Sequence, residues 1–157
     1  MISFSNVTKQ YPDGTVAVDD LNLEVPQGTL TVFVGPSGCG KTTSMRMINR
    51  MIDPTSGTLT VNGEDVTTVD PVKLRLGMGY VIQSAGLMPH LRVVDNVATV
   101  PVLRGESRRR ARKAAIGVME RVGLDPSLAD RYPAQLSGGQ QQRVGVARAL
   151  AADPPIL

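Results

Sequence analysis

Apolar and polar residues alternate over residues 2–7 (ISFSNV), the pattern of a half-buried strand. A turn at Pro12-Asp13-Gly14 follows, and alternation resumes over residues 21–25 (LNLEV) before a second turn at 26–28. Two short strands joined by turns at this spacing predict an antiparallel start. Residues 30–34 (LTVFV) are different, nearly continuous and β-branched, and predict a strand buried on both faces, as in a parallel sheet. A glycine-rich stretch, GPSGCGK, then gives way to helical spacing with Met45, Ile48 and Ile52 on one face, stopped by residues 53–57 (DPTSG). Residues 58–61 read as a strand turning at Asn62-Gly63, and residues 80–82 (YVI) as a buried strand ending at Gln83. From about Val93 the period becomes helical, over 95–103, 108–122 and 140–152. The chain is strand-rich early and helix-rich late, with no internal repeat and no low-complexity linker.

Composition narrows the class. The 157 residues are 41% apolar but only 3% aromatic, enough for one buried core. No apolar run approaches the ~18 residues of a membrane span, and MISFSNVTKQY lacks the basic-then-apolar pattern of a secretory leader. Neither feature is expected. A single cysteine, Cys39, makes no intramolecular disulfide and suits a reducing compartment. The net charge of +3 is too small by itself to argue for nucleic acid. The strongest charge block is residues 108–113 (RRRARK), whose segment also carries an apolar side of Ala114, Ile116, Val118, Met119 and Val122. A solvated helix face and a contact with anionic headgroups both remain open there. Nucleic acid is not expected, since no aromatic residues interleave to stack bases.

Candidate chemistry begins at residues 35–42 (GPSGCGKT), which satisfy G-x-x-x-x-G-K-[ST] between a predicted strand and a predicted helix. Glycines let successive backbone N–H groups curl around a phosphate, and the new helix aims its unsatisfied N–H groups at the same anion. The candidate ligands of a nucleoside triphosphate are Gly35, Ser37, Gly38, Cys39, Gly40, Lys41, Thr42 and Thr43. Lys41 reaches the outer phosphates, and the Thr42 hydroxyl is a Mg²⁺ ligand. Cys39, inside this loop, is a candidate reactive thiol if exposed.

A second glycine-rich helix entry lies at Ser137-Gly138-Gly139-Gln140, with Val144, Ala147, Leu150 and Ala151 as the apolar face behind it. It is a second anion-binding device, and a natural use is to cap a nucleotide held by another chain. A glycine-rich N-cap without a ligand is the alternative. Residues 136–143 (LSGGQQQR) resemble the signature motif of ATP-binding-cassette (ABC) ATPases, and the resemblance covers essentially the whole chain. It implies an α/β fold: a P-loop NTPase cassette with N-terminal antiparallel strands, a partial parallel core sheet and an α-helical subdomain. It implies the boundaries 1–86 for the nucleotide-binding core, 87–135 for the helical subdomain, and 136–157 for the signature and its helix. Tyr11, in KQYPDG, resembles the family's adenine-stacking aromatic, although a Tyr among turn residues also reads as a surface hydrophobe. Gln83 matches the family's glutamine that contacts Mg²⁺ and the attacking water. Ser137, Gly138, Gly139 and Gln140 would contact ATP in trans. The implied cofactors are ATP and Mg²⁺. The implied partners are a second ATPase subunit in a head-to-tail dimer, transmembrane permease subunits and a solute-binding protein. The implied location is peripheral, on the cytoplasmic face of the membrane.

Residues 41–66 and 79–97 look like the ATPases of quaternary-amine uptake systems for glycine betaine, choline or proline. The IQSAGLMPH stretch with His90 is the nearest match, and a loop with a buried Leu87–Met88 pair is its plain alternative. Members of the family continue past a DPPIL-like segment into a strand ending in Asp-Glu, which supplies a Mg²⁺ ligand and the general base, followed by a switch histidine. This sequence stops at Leu157, and His90 precedes the signature. A C-terminally truncated cassette, inactive alone, is therefore the expectation, with unpaired neighbours beside Val32 and Val34. The function expected of the family member is ATP hydrolysis that drives osmoprotectant uptake. An ATP-binding remnant without turnover, or an importer of another small solute such as an amino acid, stands as the alternative.

Overall fold

The computed structural model describes residues 1–82 and 84–157. The chain forms two compact units, residues Met1–Arg75 and Leu76–Leu157.

In the first unit, β1 (Ile2–Gln10) is flanked by β2 (Val16–Val25) and β3 (Ser56–Val61), both antiparallel to it, and β4 (Glu64–Asp65) completes a sheet of order β2-β1-β3-β4. Ile2 and Phe4 obey the two-residue period and are buried; strict alternation would then turn Asn6 inward. Instead the register slips between Phe4 and Val7, with Asn6 left-handed at φ 51°. The Asn22 Oδ1 accepts the Asn6 N–H at 2.9 Å, and the Asn6 amide donates to Asp20 Oδ1 at 2.8 Å. This bulge removes one polar residue from the count and delivers Val7 to the core, where it is fully buried, as are Leu59 and Met47. The Asn62-Gly63 hairpin turn expected after β3 is present, both residues having positive φ (52° and 84°). Helix α1 (Lys41–Ile48) buries Ser44 and Met47, so the expected apolar face through Met45 is displaced; Met45 is exposed, and the helix ends before Ile52. A short α2 (Pro71–Leu76), which periodicity did not signal, ends where the second unit begins.

The second unit packs α3 (Val93–Leu103), α4 (Arg108–Arg121) and α5 (Gly138–Leu150) around Val93, Val97, Ala111, Met119, Val144 and Ala147. The three helices expected from periodicity are all present, two of them beginning two residues earlier than their patterns do. Among the described residues, no helix is long and apolar enough to cross a membrane.

Two expectations require correction. Residues 30–34 form no strand, and Leu30, Val32 and Val34 are 91%, 69% and 89% exposed. Residues 80–82 form no strand either; among the described residues the parallel core sheet is reduced to a single Met78–Ile156 bridge, with the Gly79 N–H donating to the Ile156 carbonyl at 2.8 Å. The composition of both segments suits a buried strand, but a strand exists only with a neighbour to take its N–H and C=O groups. Among the described residues, no strand is paired with either segment.

Candidate functional site

The glycine-rich loop of residues 35–40 leads into α1 through Gly40, which is left-handed (φ 88°) at the N-cap position. A Cβ at Gly40 would collide with the Ala17 carbonyl oxygen of β2 and lie 3.2 Å from the Val18 side chain. Glycine is thus required twice, for the backbone conformation and for the approach of the loop to the sheet. No side chain caps α1, and its first turn holds no acidic residue. Its leading N–H groups, including those of Thr42 and Thr43, have no intrahelical acceptor. The buried Ser44 anchors the turn beneath, its N–H and hydroxyl both donating to the Gly40 carbonyl at 2.8 and 3.1 Å.

The Lys41 ammonium folds back over the loop, donating to the carbonyls of Gly35 (2.8 Å) and Pro36 (2.7 Å) and lying 3.4 Å from the Cys39 Sγ. Ser37, Gly38 and Cys39 are exposed, as is Thr42. An ammonium, a helix N-terminus and an exposed glycine-rich backbone, in which the Cys39 N–H donates to the Pro36 carbonyl at 3.4 Å, therefore come together. This is the chemistry of a polyphosphate cradle.

Tyr11 sits at the β1–β2 turn, its N–H donating to the Thr15 carbonyl at 2.9 Å and its own carbonyl accepting from Gly14 at 3.0 Å. The Thr15 N–H and hydroxyl hold the Asp13 carboxyl below its ordinary range, stiffening the same turn. The ring is partly exposed, with the Lys9 ammonium 5.5 Å from its centroid. A base stacking on Tyr11 would use the face away from Lys9.

In the second unit, Ser137 caps α5 reciprocally: its hydroxyl accepts the Gln140 N–H at 3.3 Å, and Gln140 Oε1 accepts the Ser137 N–H at 2.9 Å. The helix begins at Gly138, not at Gln140 as its apolar spacing suggests. Nothing lies within 4 Å of where a Cβ would stand on Gly138 or Gly139, so both present uncovered backbone. Gln83 lies outside the described residues. Asn96 holds the Leu87–Met88 segment and the exposed Pro89-His90 tip. Its Oδ1 accepts from Met88 N–H at 2.8 Å, and its Nδ2 donates to the carbonyls of Met88, Leu91 and Arg92, each at 3.1 Å. Asn96 is fully buried, and sequence reasoning missed it because a polar residue in a helical pattern looks solvent-facing.

The basic block divides by function. Asp95, whose side chain is 9% exposed, accepts from Arg108 at 3.1 Å and from Arg112 Nη1 through both oxygens at 3.0 Å. Arg112 also reaches Asp130 at 3.4 Å, and Arg92 pairs with the same carboxylate at 2.6 Å. These pairs tie α3, α4 and the 125–132 loop together. Arg109, Arg110 and Lys113 are exposed.

Comparisons with known proteins agree with the motifs. The ABC transporter family model matches residues 18–157. The choline transport ATP-binding protein OpuBA of Bacillus subtilis is 46% identical over 157 residues, covering all of this chain and 41% of that protein. The glycine betaine uptake system ATP-binding protein YehX of Escherichia coli is 50% identical over 157 residues, covering all of this chain and 51% of that protein. The ATP-binding cassette MJ0796, solved as a dimer in a post-hydrolysis state bound to ADP and Pi, superposes with a TM-score of 0.91 at 35% identity. That match covers 99% of this chain and 72% of the solved one. The chain thus spans about 40–50% of the length of these curated relatives.

Proposed function

The chain belongs to the ABC transporter family, and we propose that it is the nucleotide-binding part of an ATPase that powers uptake of an osmoprotectant such as glycine betaine, choline or proline. The observation that carries the nucleotide reading is the uncapped, left-handed start of α1 with the Lys41 ammonium beside it. The relatives support the solute class, since OpuBA is a choline transport protein and YehX belongs to a glycine betaine uptake system.

In this reading the N–H groups of residues 38–43 and the Lys41 ammonium bind the phosphates of ATP. Lys41 exchanges the Gly35 and Pro36 carbonyls for the outer phosphate oxygens, a stronger charge-assisted pairing. Bound Mg²⁺ would supply positive charge against the phosphates, and such an ion needs few protein ligands because it keeps several waters. The donor set fits that habit: the Thr42 hydroxyl is exposed at the head of α1, and among the described residues no cluster of three metal-ligating side chains competes for the ion. Thr42 and Gln83 are the proposed protein ligands. Tyr11 stacks on adenine. Gly138 and Gly139, with Ser137 and Gln140, close over ATP held by a second subunit, which their uncovered backbone supports. The helical segment of residues 87–135 meets transmembrane permease subunits, which a solute-binding protein loads, and the protein sits peripherally on the cytoplasmic face.

Deleting the gene and measuring uptake of labelled glycine betaine, choline and proline at high osmolarity tests the reading. Loss of uptake of one of these solutes, restored by the wild-type gene but not by Lys41→Ala, is the expected result. Unchanged uptake of all three, with loss of some other solute, would overturn the solute class and leave the nucleotide site standing.

A further inference from the structure

The segment that follows Gln83 is pinned to α5 by a side chain to which neither the family motifs nor the periodicity drew attention. Arg148 donates through Nη1 to the Gly86 carbonyl at 2.7 Å and through Nη2 to the Ala85 carbonyl at 3.0 Å. A planar guanidinium forked onto two consecutive carbonyls fixes the orientation of both peptide planes, which a point charge does not. The acceptors are unusual: Ala85 and Gly86 are successive left-handed residues, with φ 57° and 51°. For an alanine this conformation costs energy and persists only where the surroundings hold it. Three contacts do so here. The Ala85 N–H donates to the Ile82 carbonyl at 3.2 Å, Arg148 takes the carbonyl, and Gly145 lets the helix approach so closely that a Cβ there would lie 3.3 Å from the Ala85 oxygen. Arg148 is half-buried, and that burial pulls the guanidinium below its ordinary pKa, so the two carbonyls replace water it has lost.

The same helix carries the Ser137–Gln140 motif in its first turn. Arg148 lies ten residues after Gly138, about 15 Å along the axis at the α-helical rise. One helix therefore bears the motif proposed to touch the partner's nucleotide at one end and the clamp on residues 85 and 86 near the other.

We propose that Arg148 is a positioning residue for ATP hydrolysis, locking the backbone of residues 85 and 86, two and three positions after Gln83 in the sequence, to the helix that carries the Ser137–Gln140 motif. The inference rests on the function proposed above. It predicts a much larger effect on turnover than on ATP affinity, because the phosphate-binding groups of residues 38–43 are untouched.

The test uses the full-length protein assembled with its permease and compares wild type, Arg148→Lys, Arg148→Ala and Lys41→Ala. Arg148→Lys keeps the charge and loses the fork, and it should lower kcat by about tenfold to a hundredfold, the scale of a misplaced catalytic group. KM for ATP should stay within about twofold. Millimolar guanidinium should partly restore Arg148→Ala but not Lys41→Ala. Hydrogen exchange of the Arg148→Lys protein should quicken at residues 84–88 and remain unchanged in α3 and α4. Wild-type kcat in a folded Arg148→Lys protein overturns the proposal. So does a rise in KM without a fall in kcat, or exchange that quickens evenly through the helical unit, the mark of a merely structural residue. If Arg148→Ala does not fold, the Lys variant decides alone. Loss of hydrolysis in Lys41→Ala with full hydrolysis in Arg148→Lys sinks this inference while sparing the ATPase reading. Absence of Lys41-dependent hydrolysis in the wild type sinks both.

Discussion

Asn96 and Met88 exchange two hydrogen bonds: the Asn96 Oδ1 accepts the Met88 N–H at 2.8 Å while its Nδ2 donates to the Met88 carbonyl at 3.1 Å. The side chain thus imitates a strand partner for a loop that has none, and it does so from a fully buried position on α3. Asn96→Ala takes the acceptor from the Met88 N–H and the donor from the Leu91 carbonyl, whereas the Met88 and Arg92 carbonyls keep the backbone N–H groups of Leu91 and Asn96. A loss of about 3 kcal/mol of unfolding free energy is expected, since each unsatisfied buried group costs ~1–3 kcal/mol and the terms overlap. Urea titration checks it; a loss under about 1 kcal/mol would mean that water replaces the amide.

Asp95 has two arginine partners of unequal standing. Arg112 presents one nitrogen to both carboxylate oxygens at 3.0 Å with a side chain 34% exposed, whereas Arg108 is 68% exposed. Double-mutant cycles should return a coupling of about 1–2 kcal/mol for Asp95–Arg112 and under about 1 kcal/mol for Asp95–Arg108, because solvent screens the second pair. The reverse order would contradict the geometry.

Tyr11→Ala should separate base recognition from phosphate recognition. Base–aromatic stacking is worth ~1–3 kcal/mol, so ATP should weaken about 5–150-fold while inorganic triphosphate is unaffected. Competition titrations with both ligands read this directly. Equal losses would return Tyr11 to a plain turn residue.

Cys39 is exposed, with its Sγ 3.4 Å from the Lys41 ammonium. A maleimide should label it, and saturating MgATP should slow the labelling markedly by covering the loop. An unchanged rate would argue against a nucleotide seated on residues 35–40.

What the sequence disclosed and what it hid divide along the range of the interactions. The P-loop and the Ser137–Gln140 entry were legible because their chemistry is local: a few glycines, a lysine and a helix start within eight residues. The helices α3, α4 and α5 were legible because their apolar faces repeat on the helical period. The bulge at Asn6 was not, since it depends on Asp20 and Asn22 in the next strand. Residues 30–34 and 80–82 have the composition of buried strands, yet a strand is decided by its neighbours and no described strand pairs with them. Arg148 and Asn96 were hidden for the same reason. Their partners lie on other elements, and a polar residue within a helical pattern gives no sign of what it will meet.

The central claim is that residues 35–43 seat the phosphates of ATP through backbone N–H groups and the Lys41 ammonium. Calorimetric titration of MgATP into the full-length wild-type protein and its Lys41→Ala variant tests it most directly. Saturable binding that weakens about 10–150-fold in the variant is predicted, from the ~1.5–3 kcal/mol of a hydrogen bond to a charged group. Equal affinity in the two proteins would contradict it.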